Sequence, residues 1–293
     1  SSSSGSAAAV SDYMVPLAIG SQTGGSVLRP ASFTGILGFK PTFGTISRSG
    51  MSPISQRLDH PGIYANCVED IDLVASVILS YDSEDLDMIQ NYQYKNDINL
   101  NKSLKFGFVR GPVWNFGDED MKNGIEEFIK NSQLDIEDLD LGKDFEDAAK
   151  AHEIIMNGSI ANSLMNYYQT DKSNLHPFTV KRIEAGIPVS ASDYVSAIEQ
   201  AKKMEQILKQ FFKKYDAIIT PAAPGQAPRD LMNTGNAIFN GYWTMMGVPA
   251  ISLPFLKGKD DLPIGIQFIA NWSEDLKLLE ICKYILKKEK LAN

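Results

Sequence analysis

The sequence has little of several features that mark familiar protein classes. It contains two cysteines, Cys67 and Cys282, which lie far apart and show neither metal-ligand nor redox spacing. Such usage is typical of a reducing compartment, so we expect a cytoplasmic protein without a metal site. No apolar run approaches the length that spans a bilayer, and the first ten residues lack a basic start followed by a long apolar stretch. We therefore expect neither secretion nor a membrane partner.

An excess of basic residues is also missing. Lys and Arg together number 28 against 36 Asp and Glu, which gives a formal net charge of -8. Proteins that bind nucleic acid usually carry a basic patch, so no nucleic-acid partner is expected. With 293 residues, 43% of them hydrophobic and 22% charged, the chain has the composition of a globular protein that can bury a sizeable core.

The spacing of apolar residues predicts helices that alternate with short strands. Helices are predicted over residues 6–14, 70–79, 118–131, 144–168, 190–215 and 274–288, with a helical turn at 31–35. Strands are predicted over residues 15–19, 104–109, 217–220, 250–254 and 264–269, within 133–141, and in the apolar segment 36–43. We expect the strand at 15–19 to be buried, and Ser192 to cap the helix at 190–215. This alternation favours an α/β fold around a central sheet.

One short run interrupts this pattern, GSQTGGSVLRP at residues 20–30. Its glycines can adopt positive φ without penalty, so Thr23, Gly24 and Gly25 could turn successive N–H groups toward one point. Such a group of amides binds an anion, or an oxyanion that forms during acyl transfer, and Ser26 at its edge is placed as a nucleophile. The alternatives are a tightly packed turn or a phosphate cradle.

A serine nucleophile needs a base, and histidine is scarce. Only His60, His152 and His176 occur. Asp59 and His60 beside Ser26 would imitate a Ser-His-Asp triad, although adjacent loop residues cannot easily supply both members with the required geometry. The sequence has neither a GxSxG elbow nor a P-loop lysine pattern.

Several longer motifs resemble the amidase signature family. They are SSSSGSAAAV, GSQTGGSVLRPASFTGILGFKPTFG, RLDHPGIYA, MGVPAISLPF and LPIGIQFIA, in that order along the chain. The resemblance implies the amidase signature fold, an α/β fold with a mixed central β-sheet layered between α-helices. It also implies one amidase domain over residues 1–293, with a signature core at 1–80, a mostly helical excursion at 81–216 where the resemblance fades, and a C-terminal sheet and helix part at 217–293.

The same resemblance implies a reaction and a set of site residues. Members hydrolyse carbon-nitrogen bonds of carboxylic amides through a serine acyl-enzyme and release ammonia or an amine, using a Ser-cisSer-Lys triad. Matched motif by motif, Ser26 is the nucleophile, Ser2 is the bridging cis-serine, and backbone N–H groups of Thr23, Gly24 and Gly25 form the oxyanion hole. No organic cofactor or metal is implied.

Some positions depart from the family pattern. The family's lysine lies upstream of the Ser/Gly segment, and this sequence begins inside that segment, so we expect a chain that lacks its N-terminal part and the catalytic lysine. Lys40, in the GFKPT motif, corresponds to a structural position. Gln22 stands where many members have Asp, which we interpret as subgroup variation. Arg29 is expected to form a salt bridge with Asp59 that holds the loop, or else to bind a substrate carboxylate.

Substrate contacts are expected near the C-terminal motifs. Tyr242 and Trp243 could form a wall of the acyl pocket, with Asn240 as a polar contact, whereas the alternative is core packing. The Pro-rich loop at residues 221–228 follows a predicted strand and could form a rim of the cleft.

Three functions fit these observations. The first is hydrolysis of a small-molecule amide. The second is the amidase subunit of a tRNA-dependent amidotransferase, which releases ammonia from glutamine and works with partner subunits. The third is a non-catalytic, truncated amidase scaffold. A homodimer is included among the expected assemblies.

Overall fold

The computed structural model describes residues 3–94, 98, 100 and 103–292, and it contains a mixed sheet whose strands run in the order β1-β3-β2-β7-β8-β6-β4-β5. The strands are β1 Leu17–Gln22, β2 Leu37–Lys40, β3 His60–Ala65, β4 Lys105–Phe108, β5 Asp135–Asp138, β6 Ala217–Pro221, β7 Ala250–Lys257 and β8 Pro263–Ile269. Neighbouring strands from β1 to β6 pair antiparallel, and β6, β4 and β5 pair parallel. The predicted α/β fold with a mixed central sheet is confirmed.

Helices lie on the sheet and extend beyond it. They are α1 Ser4–Ser11, α2 Leu28–Thr34, α3 Val68–Ile78, α4 Glu119–Asn131, α5 Ala148–Asp171, α6 Pro177–Gly186, α7 Ala191–Phe211, α8 Ile238–Met245 and α9 Asp275–Ala292. Alternate residues of β3 point to different faces, so Tyr64 packs in a cluster with α1 and α2, and Ile63 packs in the main core with residues of α3. Two helical layers therefore cover the sheet. No described helix is both long and apolar enough to cross a membrane.

The first strand differs from the prediction. It spans Leu17–Gln22, so it continues into the glycine-rich run, and it is an edge strand on which Ile19 is 49% exposed. Serine side chains of the N-terminal segment bond to its open edge, with Ser6 Oγ donating to the Ile19 carbonyl at 3.0 Å and Ser3 Oγ accepting from Ser21 N at 2.9 Å. The predicted buried strand at residues 15–19 was wrong because polar hydroxyls, rather than another strand, satisfy this edge.

Two helices were not predicted, and one cap was assigned wrongly. Helix α6 buries only Ile183 and Gly186, and α8 is buried from Phe239 to Met245. Helix α7 begins after Ser190, whose Oγ accepts a hydrogen bond from Asp193 N at 3.0 Å, and Ser192 is already inside the helix. The division of the chain at residues 80 and 216 stays a prediction.

Candidate active site

The candidate nucleophile lies in a short connection between β1 and α2. Strand β1 ends at Gln22, α2 begins at Leu28, and Ser26 lies between them with a partly exposed side chain. The Ser26 carbonyl accepts hydrogen bonds from Tyr64 Oη at 2.8 Å and from Ser3 N at 3.3 Å. The Ser26 hydroxyl bonds to no other described residue, so it is available for chemistry as far as the described chain is concerned. We call residues 23–26 the nucleophile loop.

Glycine is required in this loop for a different reason from the one the sequence suggested. Neither Gly24 nor Gly25 has positive φ, so the predicted left-handed conformation was wrong. A Cβ on Gly25 would lie 2.9 Å from Ala237 Cβ and closer still to Asn240 Oδ1, whereas a Cβ on Gly24 would meet nothing nearer than His152 Cε1 at 3.6 Å. Gly25 is therefore required by close packing behind the loop, whereas Gly24 is buried but leaves room for a methyl group at ordinary contact distance.

Three successive carbonyls of this segment are each held by a donor. The Thr23 carbonyl lies 3.1 Å from His152 Nε2, the Gly24 carbonyl accepts from Thr244 Oγ1 at 2.6 Å, and the Gly25 carbonyl accepts from Arg29 N at 2.9 Å. Each carbonyl shares a planar trans peptide unit with the N–H of the next residue. Anchoring the carbonyls therefore fixes the directions of the three N–H groups that follow, at positions 24, 25 and 26.

The backbone N–H groups of Thr23, Gly24, Gly25 and Ser26 form no hydrogen bond with any other residue that the structure describes. Backbone N–H groups in folded proteins usually have a partner. Donors held in fixed directions beside a serine can stabilise an oxyanion without reorganising. The loop thus has the chemical features of an oxyanion hole next to a nucleophile, and the assignment of its donors stays a prediction.

The side chain of Gln22 bonds to residues that follow the nucleophile loop and to Thr244. Its side chain is fully buried, Oε1 accepts from Val27 N at 2.9 Å and from Leu28 N at 3.0 Å, and Nε2 donates to Thr244 Oγ1 at 2.9 Å. The amide oxygen thereby joins the two ends of the connection, and the amide nitrogen orients the hydroxyl that holds the Gly24 carbonyl. A carboxylate here could accept the same two N–H bonds but could not donate to Thr244.

Asp59 holds the other side of the loop, but not through an arginine. Its carboxylate accepts from Thr23 Oγ1 at 2.6 Å and from the N–H groups of Ile54 and Ser55 at 2.8 Å each. The predicted salt bridge from Arg29 to Asp59 was wrong: these three donors bind the carboxylate, and no hydrogen bond or ion pair with Arg29 is present among the described residues. Arg29 is instead buried near Tyr64, and this burial lowers its pKa to about 10.

The alternative of a Ser-His-Asp triad made of Ser26, His60 and Asp59 is not formed in this structure. His60 lies in β3 with its side chain buried, its Nδ1 is 2.6 Å from the Leu58 carbonyl, and its ring packs edge-on against Phe43. Burial, followed by the positive charge of Lys40, holds the His60 pKa well below its ordinary value. No hydrogen bond joins this ring to Ser26 or to Asp59 among the described residues, so Asp59 and His60 do not form a triad with Ser26.

The second predicted catalytic residue, Ser2, lies outside the described residues. Its neighbour Ser3 is described and contacts the nucleophile loop through the Ser26 carbonyl. Ser3 therefore lies beside the candidate nucleophile, although the two residues are more than twenty positions apart in the sequence. The bridging role of Ser2 stays a prediction.

The three predicted substrate contacts lie on α8 and have no exposed surface in this structure. Tyr242 and Trp243 pack with their ring centroids 4.8 Å apart, and Asn240 donates from Nδ2 to the Ala222 carbonyl at 3.0 Å. Asn240 thus connects the Pro-rich loop after β6 to the back of the nucleophile loop at Gly25. Their roles toward a substrate stay predictions.

Sequence reasoning missed His152 and Thr244. The two residues hold consecutive carbonyls of the nucleophile loop from α5 and α8. In the sequence, His152 stands out only as one of three histidines, and no local pattern distinguishes Thr244. Among the described residues, no group of three or more His, Cys, Asp or Glu side chains could hold a metal ion.

Comparison with protein families and with known sequences identifies relatives of this chain. Residues 1–279 match the profile of the family described as amidase. A glutamyl-tRNA(Gln) amidotransferase subunit from Agathobacter rectalis is 31% identical over 318 residues, which cover 95% of this chain and 62% of that protein. The chain thus spans less than two thirds of that relative's length.

Solved structures agree with the sequence comparison. A glutamyl-tRNA(Gln) amidotransferase subunit from Thermotoga maritima superposes with a TM-score of 0.75 at 28% identity, over 94% of this chain and 63% of that one. A crystal structure described as an amidase has a TM-score of 0.81 at 22% identity, over 94% of this chain and 64% of that one, and so supports the fold alone. The predicted resemblance is confirmed: the chain belongs to the amidase family, whose members are recognised by the amidase signature.

Proposed function

We propose that this chain carries the nucleophile and the oxyanion hole of an enzyme that hydrolyses a small carboxylic amide. The observation that carries the proposal is the row of three anchored carbonyls at Thr23, Gly24 and Gly25, which fixes the directions of the N–H groups that follow them. Beside them, the Ser26 hydroxyl bonds to no other described residue. In a turn that serves only for packing, the backbone N–H groups would be expected to have hydrogen-bond partners. The N–H groups of residues 23–26 have none in the described chain.

In the proposed reaction, Ser26 Oγ attacks the amide carbonyl, and the developing oxyanion accepts hydrogen bonds from the nucleophile loop. The proton of Ser26 passes through Ser2 to a neutral lysine, the base that the family resemblance implies. The carbon-nitrogen bond then breaks, the leaving nitrogen takes a proton back along the same route, and an ester on Ser26 remains. Water hydrolyses that ester and restores the serine.

A serine-directed fluorophosphonate tests the nucleophile in the natural protein at its full natural length. We expect labelling at Ser26, loss of labelling in Ser26→Ala, and normal labelling in Ser21→Ala, which removes an exposed hydroxyl from the adjoining strand. Turnover of small amides should disappear with the same Ser26→Ala change. A wild-type protein that is folded by circular dichroism and stays unlabelled would support the non-catalytic scaffold instead.

A second candidate is the amidase subunit of a tRNA-dependent amidotransferase. The support is the name of the relatives at about one third identity, including the relative from Agathobacter rectalis. We expect such a subunit to copurify with partner subunits at constant ratio and to release ammonia from glutamine. A protein purified from its source without partners, active on other amides and inactive on glutamine, would rule this candidate out.

The remaining expectations about assembly and location are proposals of the same kind. We propose a small-molecule amide as the substrate, a cytoplasmic location and a homodimer. Exposed apolar residues on the surface of α3, Leu73 at 67% and Val77 at 69%, support self-association, because exposed apolar side chains grouped on one surface favour contact with another protein. Sedimentation velocity over a concentration series distinguishes monomer from dimer.

A further inference from the structure

His152 reaches the nucleophile loop from a distant part of the chain. It belongs to α5, and its ring lies between two glycines. A Cβ built on Gly24 would lie 3.6 Å from His152 Cε1, and a Cβ built on Gly241 would lie 2.7 Å from Nδ1. Only a glycine at position 241 leaves room for the ring, so α8 is shaped to admit it.

In the hydrogen bond between the His152 ring and the nucleophile loop, the donor and the acceptor can be assigned. His152 Nε2 lies 3.1 Å from the Thr23 carbonyl oxygen, and a carbonyl oxygen only accepts hydrogen bonds. The proton of the neutral ring must therefore be on Nε2, which donates it to Thr23. Because Nε2 is engaged in this way, this nitrogen is not free to take a proton from Ser26.

The Thr23 carbonyl and the Gly24 N–H belong to the same planar peptide unit and point in opposite directions. A donor that fixes the carbonyl therefore fixes the N–H, and polarisation of the amide strengthens that N–H as a donor. We propose that His152 is a positioning residue for amide hydrolysis, which holds the Thr23–Gly24 peptide so that the Gly24 N–H faces the oxyanion. This inference rests on the proposed function for its role in catalysis, although the peptide orientation itself does not.

The electrostatic setting agrees with a neutral ring. Burial is the largest cause and lowers the His152 pKa from its ordinary value, although the hydrogen bond to the Thr23 carbonyl raises it in part. Among charged neighbours, Arg182 on α6 lowers this pKa further, and Glu153 on α5 raises it. The Thr23 hydroxyl is bonded to Asp59, so the loop residue is held through its side chain as well as through its carbonyl.

The first experiment compares His152→Gln, which keeps an N–H donor, with His152→Leu, which does not. The measured quantity is the second-order rate at which a fluorophosphonate labels Ser26 in the full natural protein. We expect His152→Leu to lower this labelling rate about tenfold or more, because an oxyanion donor that points the wrong way stabilises the oxyanion little better than a missing donor. The rate for His152→Gln should stay within a few-fold of wild type. Lys150→Leu, at an exposed position of α5, serves as the matched control.

Thermal midpoints of all four proteins separate positioning from folding. If the Gln and Leu variants lose labelling equally while their midpoints match wild type, the donor role is overturned. Rescue by Gln alone is a result that a purely structural role for the ring would not produce.

A second measurement is independent of any activity. In a 1H–15N spectrum of protein labelled with 15N-glycine, the Gly24 amide is identified by its absence in Gly24→Ala. We expect its proton resonance to move upfield in His152→Leu and to stay near its wild-type position in His152→Gln. An unchanged Gly24 resonance in the Leu variant overturns the inference. If wild-type protein is not labelled at Ser26 but this resonance responds as expected, the proposed function fails and the positioning role holds.

Discussion

Gly24 and Gly25 are adjacent, yet their surroundings differ so much that the same substitution should have different effects. An alanine methyl at position 25 collides with Ala237 and Asn240 behind the loop, whereas at position 24 it meets only the edge of His152 at an ordinary contact distance. We expect Gly25→Ala to lower the free energy of unfolding by about 1–3 kcal/mol and to abolish labelling of Ser26. Gly24→Ala should unfold like wild type and keep most of its labelling rate.

The pair is measured by urea unfolding and by fluorophosphonate labelling on the same preparations. Each variant is the control for the other, because both add one methyl group within the same loop. Equal stability of the two variants would show that the loop moves away from α8 at little cost. The packing explanation for Gly25 would then be wrong.

At the scale of single residues, the sequence identifies the candidate nucleophile but not the side chains that hold its loop. Ser26 and the glycines before it form a contiguous motif, so a single stretch of sequence is enough to find them. His152 and Thr244 lie 129 and 220 positions from the carbonyls that they hold. No local pattern encodes such a contact, because the fold alone brings those side chains to the loop.

Among the elements, the start of α7 offers a matched comparison of two serines. Ser190 Oγ accepts from Asp193 N and lies 2.6 Å from Asp193 Oδ2, whereas Ser192 is exposed within the first turn. We expect Ser190→Ala to lower the free energy of unfolding by about 1 kcal/mol, since the Asp193 N–H loses its acceptor at the N-cap. Ser192→Ala should be neutral or slightly stabilising, because alanine is the better helix former.

Denaturant unfolding of the two variants at a single pH tests this assignment. A larger loss for Ser192→Ala than for Ser190→Ala would place the cap where the sequence alone suggested it. The alternative arose because serines stand at both positions, and only the backbone conformation at Ser190 distinguishes the cap from the first turn.

Two helices illustrate how burial affects prediction from the sequence. Helix α4 was predicted to within a residue or two because Met121 and Ile125 face the core and charged residues face outward. Helix α8 is buried from Phe239 to Met245, so its composition resembles that of a buried strand or a core loop. Periodicity reports a contrast between two faces, and a helix without that contrast leaves no signal.

At the scale of the whole molecule, the buried side chain of Lys40 should make the free energy of unfolding depend on pH in the alkaline range. Lys40 ends β2, its Nζ donates to the carbonyls of Pro41 at 2.9 Å and Val248 at 2.6 Å, and its side chain has no exposed surface. Burial lowers the Lys40 pKa to about 7, although the carboxylate of Asp275 acts in the opposite direction. A neutral amine has two N–H donors, which match the two carbonyls.

The sign of the pH effect follows from this lowered pKa. Between about pH 7 and the ordinary lysine pKa of 10.5, the unfolded chain binds a proton at Lys40 that the folded chain does not. Stability therefore rises with pH in this window, with a slope of up to about 1.4 kcal/mol per pH unit from this residue. Burial raises the pKa of Cys282 above 9.0, an effect of opposite sign at higher pH, so the comparison is best made between about pH 7 and 9.

We expect the free energy of unfolding of wild type, minus that of Lys40→Met, to increase across this range, because only wild type takes up a proton at position 40 on unfolding. Lys150→Met, which removes an exposed lysine from α5, should show no such change relative to wild type. The free energies of unfolding are measured with urea at three pH values in this range. Parallel pH profiles for wild type and Lys40→Met would mean that Lys40 stays protonated in the folded protein. The two carbonyls would then bind an ammonium ion, with Asp275 as the nearby negative charge that stabilises it.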